Sequence, residues 1–275
     1  MARISGATEL REPLQMAVQI GAHSPRLTRV RNLRSSKGRA EQERFAFEGP
    51  TLLQEAHASS FVIEELFATP EAYEATPLVR EIEAGGTTVY LVDAAGAKQL
   101  SDLTTPAGIV AVARPRRGDL EAIFAGTSPV LVLADLGDPA NVGTLLRSAD
   151  AFGCSGVVFG PLGVEPYHPK VVRGSMGAVF RLPMTVAEPQ EVAAAAASAH
   201  VRLLGLDARG DWPAGELYAG PAALVIGHER RGLGRWEALC DALIALPMRG
   251  RAESLSAGVA GSIALFEATR TRPRQ

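Results

Sequence analysis

Near-continuous apolar runs, with no polar alternation, dominate the C-terminal half of the chain. PVLVLADL at 129–136, GVVFG at 156–160, RLLGLD at 202–207, AALVIG at 222–227 and ALIALPM at 242–248 succeed one another, with helix-period stretches among them. Strands lacking a polar face are covered on both sides, the habit of parallel strands flanked by helices. The pattern predicts an α/β fold with a mostly parallel sheet over 119–275. A short MTV strand at 184–186, an alanine-rich helix over 191–200 and a final helix from Ser254 to about 270 complete it. The AAAAA run at 193–197 expresses helix propensity alone.

The N-terminal half alternates the two periods more evenly. FAFEG at 45–49, FVIEELFA at 61–68, TTVYLVD at 87–93 and GIVAVARP at 108–115 read as strands. Helices are predicted over 50–59, from Pro70 to near Gly85 and Gly86, and over AAGAKQLSDL at 94–103. This is a second, smaller α/β module over 24–115, preceded by a flexible leader at 1–23. RPRRGD at 114–119 combines Pro, Gly and charge, and marks the boundary between the modules.

With 47% hydrophobic and 21% charged residues over 275 positions, the composition is globular and long enough for two cores. No apolar stretch approaches the roughly 20 residues needed to span a bilayer, and Glu9, Arg11 and Glu12 interrupt the leader. The expectation is a cytoplasmic protein, neither exported nor anchored. Cys154 and Cys240 are too few for a disulfide framework or a cysteine metal site, and read as core fillers. The formal net charge of −2 announces no nucleic-acid partner, but the distribution is uneven. Arg26, Arg29, Arg31, Arg34, Lys37, Arg39 and Arg44 crowd one segment, opposed only by Glu41 and Glu43. Arg26, Arg29 and Arg34 can share one helical face, which suits either phosphate tracking or an ordinary solvated surface.

Three polar clusters follow apolar runs: NVGTLLRSA at 141–149, IGHERRGL at 226–233, and LPM with ESLSAG over 246–258. Ligands of open α/β sheets bind outside the carboxyl ends of the strands, so three clusters at three such ends describe one site. In the first, Pro139 and Asn141 read as a turn and helix N-cap. Val142, Leu145, Leu146, Ala149 and Phe152 recur at helical spacing and face the core. Gly143 and Arg147 share another stripe, where the glycine would let a bulky group approach beneath the guanidinium. The alternative is a surface Arg147 paired with Asp150 or Asp138. LADLGDPANVG lacks the glycine spacing of a dinucleotide turn, and GLG at 232–234 is weaker still. The chain has no Walker lysine loop, zinc spacing or GxSxG elbow, and its five histidines show no helical metal-ligand pairing, so no metal is expected.

In this order the clusters resemble the SpoU/TrmH family of SPOUT RNA ribose 2′-O-methyltransferases. The resemblance covers roughly 129–270. It includes Asn141, Gly143 and Arg147, the RGSMGAVFRLP stretch at 173–183, Gly227 and Glu229, and the closing LPM, SL and ALFE. The amino-terminal module is similar to the ribosomal-protein-like RNA-binding domain of rRNA-modifying members, especially in LSDLTTPAGIVAV at 100–112.

That resemblance implies a trefoil knot, an exception to the rule against threaded chains, and a homodimer packed knot on knot. It implies S-adenosylmethionine held near Gly227, Leu246, Met248, Leu255 and Ser256, with an apolar slot for adenine closed by Leu246, Met248 and Leu255. Arg147 would be the activating residue. Arginine stays protonated in proteins, which favours positioning and electrostatic stabilisation over a base role. Asn141 and Glu229 would orient the loop and Arg147, Ser254 would cap the last helix, and Arg26, Arg29, Arg31, Arg34 and Lys37 would hold RNA. The substrate implied is 23S rRNA, in housekeeping or antibiotic self-resistance. The alternatives are a tRNA 2′-O-methyltransferase and a degenerate RNA-binding homologue. The second alternative arises because relatives read SLN where this chain reads Ser254, Leu255, Ser256.

Overall fold

Two sheets, each built from one half of the chain, meet across a shared aromatic core in the computed structural model, which describes residues 17–211, 220–252 and 254–270. The N-terminal half runs β1 (Val18–Gln19), α1 (Pro25–Asn32), α2 (Ser36–Gln42), β2 (Phe45–Glu48), α3 (Pro50–Ala58) and β3 (Ile63–Ala68). It continues through α4 (Pro70–Ala75), α5 (Pro77–Ala84), β4 (Thr88–Leu91), α6 (Ala94–Leu100) and β5 (Ile109–Ala113). Its strand order is β1-β4-β3-β5-β2, with β5 antiparallel to both neighbours and the other pairs parallel.

The C-terminal half runs α7 (Leu120–Phe124), β6 (Val130–Ala134), α8 (Pro139–Ala151), β7 (Gly156–Phe159), α9 (Pro169–Gly174) and α10 (Ala178–Arg181). After them come β8 (Met184–Val186), α11 (Pro189–Ser198), β9 (Arg202–Asp211), β10 (Ala222–Gly227), β11 (Ala242–Ile244) and α12 (Ala257–Thr269). A 3₁₀ turn at Gly234–Leu239 lies between β10 and β11. The order is β11-β9-β10-β6-β7-β8 and every pairing is parallel, so the doubly covered sheet expected from the apolar runs is present. Among the described residues no helix is long and apolar enough to cross a membrane.

Several local expectations change. Val18 and Gln19 pair with Tyr90 and Leu91, so the tail of the predicted leader is a strand; residues 1–16 lie outside the described residues. The basic segment forms two helices, because Ser35 caps a new one by accepting from Gly38 N. Pro77 likewise divides the helix predicted after Pro70 into α4 and α5.

The modules join through aromatic side chains that are separated widely in sequence. The Phe45 ring lies 4.4 Å from Tyr167, Phe47 lies 4.9 Å from Phe180, and Phe61 lies 5.2 Å from Phe180. The Tyr167 hydroxyl donates to Arg116 O (2.9 Å) and accepts from Arg116 N (3.0 Å), and burial pushes its pKa up to about 12. Two arginines lock the same junction. Buried Arg39 donates to Leu33 O, Arg34 O and the carboxylate of Glu165, while Arg181 joins Glu55 of α3 to Asp150 of α8. Arg39 therefore belongs to the interior, and the exposed charge of the basic segment is smaller than its composition implies.

Candidate active site

The three polar clusters converge on one side chain. Asn141, in the first turn of α8, donates from Nδ2 to Glu229 Oε1 (2.9 Å) and accepts at Oδ1 from Gly258 N (3.2 Å). It ties the turn after β10 and the start of α12 to the helix that follows β6. Glu229 also accepts from Asp138 N at 3.3 Å. Burial would raise the carboxyl pKa of Glu229, but donation from Asn141 and from nearby backbone N–H groups outweighs it, and the pKa falls below the usual carboxylate value.

Close backbone approaches make this geometry possible. A Cβ on Gly261 would sit 2.5 Å from Leu145 Cδ2, and one on Gly258 would sit 3.0 Å from Asn141 Oδ1. Only glycine at these positions lets α12 settle onto α8, where Ser148 and Ser262 share a hydrogen bond of 2.7 Å. Gly227 abuts the backbone of Gly232 and Leu233, so the turn between them folds tightly over the end of β10 and is pinned by paired His228 and Gly232 bonds of 2.9 Å.

The apolar stripe of α8 lies where its periodicity predicts, with Val142, Leu145, Leu146 and Ala149 fully buried. The capping assignments do not. Asp138 caps α8 by accepting from Ala140 N, which puts Asn141 inside the helix and frees its carboxamide for long-range bonds. Ser256, rather than Ser254, caps α12 by accepting from Val259 N at 3.3 Å. Ser254 is exposed on the extended segment before it. Gly143 serves a different neighbour from the one expected. A Cβ there would lie 2.9 Å from Gly174 Cα, so the bulky group pressed against it is the backbone of α9.

Arg147 is exposed, and no described residue pairs with it. Asp150 is engaged by Arg181 and Asp138 by the cap, which removes the expected surface ion pairs. Asn141 and Glu229 do not orient Arg147 either, since six residues of helix place it about 9 Å further along the axis. Leu246 is half-buried, while Met248 and Leu255 are 42% and 39% exposed and stand open to solvent instead of closing a slot. Among the described residues no group of His, Cys, Asp and Glu side chains clusters as metal ligands would.

The five candidate RNA cations are not equivalent. Arg26 binds Glu65 (3.1 Å) and lies over the Tyr90 ring, and Arg29 is 3.8 Å from Glu65. Lys37 faces Glu41 at 3.7 Å. Arg34 follows the end of α1 instead of sharing its face, and donates to Gln99 O (2.8 Å) and Ser101 O (2.6 Å) while facing Asp102. Arg31 is exposed with no described partner. Arg181 went unnoticed in the sequence, although its place in the RGSMGAVFRLP stretch was the available signal.

Comparison with known proteins adds an independent line. The family model of the SpoU rRNA Methylase family matches residues 128–266, and that of the MRM3-like substrate binding domain matches 24–111. The chain is 38% identical over 176 residues to the 23S rRNA (uridine(2479)-2′-O)-methyltransferase of Streptomyces viridochromogenes; the match covers 61% of each chain. It is 32% identical over 216 residues to the 23S rRNA (guanosine-2′-O-)-methyltransferase RlmB of Shewanella oneidensis, across 72% of this chain and 84% of that protein. Among solved structures, an AdoMet-bound rRNA methyltransferase from Sinorhizobium meliloti superposes with TM-score 0.84 at 27% identity, covering 94% of this chain and 99% of the other. The SpoU methyltransferase AviRb of Streptomyces viridochromogenes, in complex with AdoMet, gives TM-score 0.80 at 28% identity over 91% and 98%.

Proposed function

The chain belongs to the SpoU rRNA Methylase family, and from that premise we propose that it methylates a ribose 2′-hydroxyl of 23S rRNA in the cytoplasm, using S-adenosylmethionine. One observation carries the reading: the Asn141 carboxamide joins all three polar clusters, gathering them at the carboxyl ends of parallel strands.

The residues present suit the cofactor. The described residues 246–252 and 254–255 lie outside the strand ladders, which leaves backbone groups there for a ligand, and Met248 and Leu255 offer exposed apolar surface beside them. Gly227, Leu246, Met248, Leu255 and Ser256 would hold the nucleoside. S-adenosylmethionine supplies a methyl group on a positively charged sulfur. The acceptor would be the ribose oxygen, whose hydroxyl proton would leave to solvent while the sulfur would keep the electrons of the C–S bond. Arg147 would hold the hydroxyl and the adjoining phosphate in line and stabilise charge building on the oxygen; alignment alone contributes several powers of ten in rate. Asn141 and Glu229 act as positioning residues for the cofactor loop. Arg29, Arg31 and Lys37 are exposed; the ion pairs of Arg29 and Lys37 are weak enough for phosphate to compete, and Arg31 has no described partner.

The trefoil knot and the homodimer belong to the same proposal. One face of α12 is buried through Gly258, Gly261, Ala264, Leu265 and Ala268, whereas Val259, Ile263 and Phe266 form a second, exposed apolar stripe. The Phe266 ring adjoins Phe152 at 5.8 Å, which widens that patch toward α8. A second copy of the chain would cover it.

Incubation of the purified protein with 23S rRNA and methyl-labelled cofactor tests the reaction. The expected product is one alkali-resistant ribose position; label on a base, or on tRNA alone, would overturn the assignment.

A further inference from the structure

A half-open cleft of about 50 Å3 lies between the two modules, away from the three polar clusters. Its apolar floor includes Phe47, Leu52 and Val110 of the N-terminal module and Val172 of α9; Arg34, Leu103 and Arg173 also line it. The acids along it are already engaged. Glu48 accepts from the Ser101 hydroxyl (2.7 Å) and Ala107 N (2.8 Å), and Asp102 faces Arg34. Arg173 is exposed, and no described residue pairs with it. The residue after it, Gly174, is the one against which Gly143 of α8 packs, so the wall of the cleft is fastened to the helix carrying Arg147.

We propose that this cleft is a subsite for one unstacked base of the RNA substrate, with the Arg173 guanidinium on the adjoining phosphate. The proposal rests on the reading of the protein as an RNA methyltransferase and adds a second anchoring point. A half-open, partly apolar recess with an exposed guanidinium at its rim, which no described residue pairs with, suits the face of one base and its phosphate. A protein segment docking there would need an acid at the same point, and is an outcome of the test. The RGSMGAVFRLP stretch thereby acquires a role: its first residue holds RNA, and Arg181, near its end, clamps the module that forms the opposite wall.

Fluorescence anisotropy with labelled single-stranded RNA octamers of mixed sequence tests this directly. Arg173→Ala and Leu103→Glu should each weaken binding about tenfold, the size of one lost base or phosphate contact, with Arg173→Lys in between. Val62→Glu places the same charge on an exposed residue outside the cleft and should change nothing. Calorimetric S-adenosylmethionine affinity should be equal in all five proteins, which establishes that the variants are folded. Equal RNA binding by wild type and the cleft variants would overturn the proposal. So would an equal loss in Val62→Glu, no loss in Leu103→Glu, or wild-type preference for an acidic peptide over the octamers. If octamer binding depends on the cleft while wild type fails to methylate 23S rRNA, the reaction falls and the subsite stands.

Discussion

Replacing Asn141 by alanine removes both bonds that join the three clusters, and its consequences can be worked out before the measurement. The bond to Glu229 has a charged acceptor and the one from Gly258 N a neutral donor. Such bonds contribute about 1.5–3 and 0.5–1.5 kcal/mol respectively. Asn141 is half-buried, so water can replace part of each, and the low ends apply. Alanine also returns about 0.5 kcal/mol of helix propensity. The net loss is about 1.5 kcal/mol, or a fall in melting temperature of roughly 3–6 °C for a chain of this size. The loss should depend on pH. Because the folded pKa of Glu229 lies below its unfolded value, the carboxylate contributes stability above the unfolded pKa of about 4.3, and the contribution is lost as pH falls through the folded value. The gap between wild type and Asn141→Ala should thus be full at neutral pH and shrink on acidification below about pH 4. Calorimetric melting across that range measures it. A gap under about 1 °C at neutral pH, or one that widens in acid, refutes the assignment of Asn141 as the tie.

Substitutions at three other positions bear on the proposed reaction and assembly. Arg147→Ala should abolish methyl transfer to 23S rRNA and leave the melting temperature within about 1 °C, because the side chain is exposed and unpaired; turnover near wild type would remove it from the mechanism. Ser256→Ala should lose about 1 kcal/mol of stability with its cap, whereas Ser256→Asn, an equally good cap, should not. Cofactor affinity measured on the Asn variant then reports whether the site tolerates the longer side chain, and a tenfold loss would indicate a site reshaped around the hydroxyl. Phe266→Asp puts a charge into the exposed stripe of α12 and should turn a homodimer into monomers by sedimentation; an unchanged mass would move the interface elsewhere.

Much of the architecture is legible because it is written in short-range pattern. The apolar runs of β6, β7 and β10 carry no polar face, and a parallel sheet follows from that alone. The stripe from Val142 to Ala149 has a period of one helical turn, and all four of its residues in α8 are fully buried. The polar clusters stood out because polar residues directly after buried strands have few places to go. Local capping chemistry was harder. Asp138 and Asn141, or Ser254 and Ser256, are interchangeable candidates until the backbone chooses which one leaves the helix.

What required the folded molecule is everything that depends on elements remote along the chain. Gly143 and Gly174 are glycines for each other's sake, and nothing near either one says so. Arg39 sits in a basic run and belongs to the core, because Glu165, 126 residues later, arrives to meet it. Arg26 and Arg34 lose their apparent freedom to Glu65 and Asp102 in the same way. Periodicity is a property of the backbone's own hydrogen bonding, so a local stretch of sequence determines which face of a helix or strand is apolar. The fate of a charge depends on which distant group is brought within a few ångströms and how much water remains, and only the tertiary structure decides that.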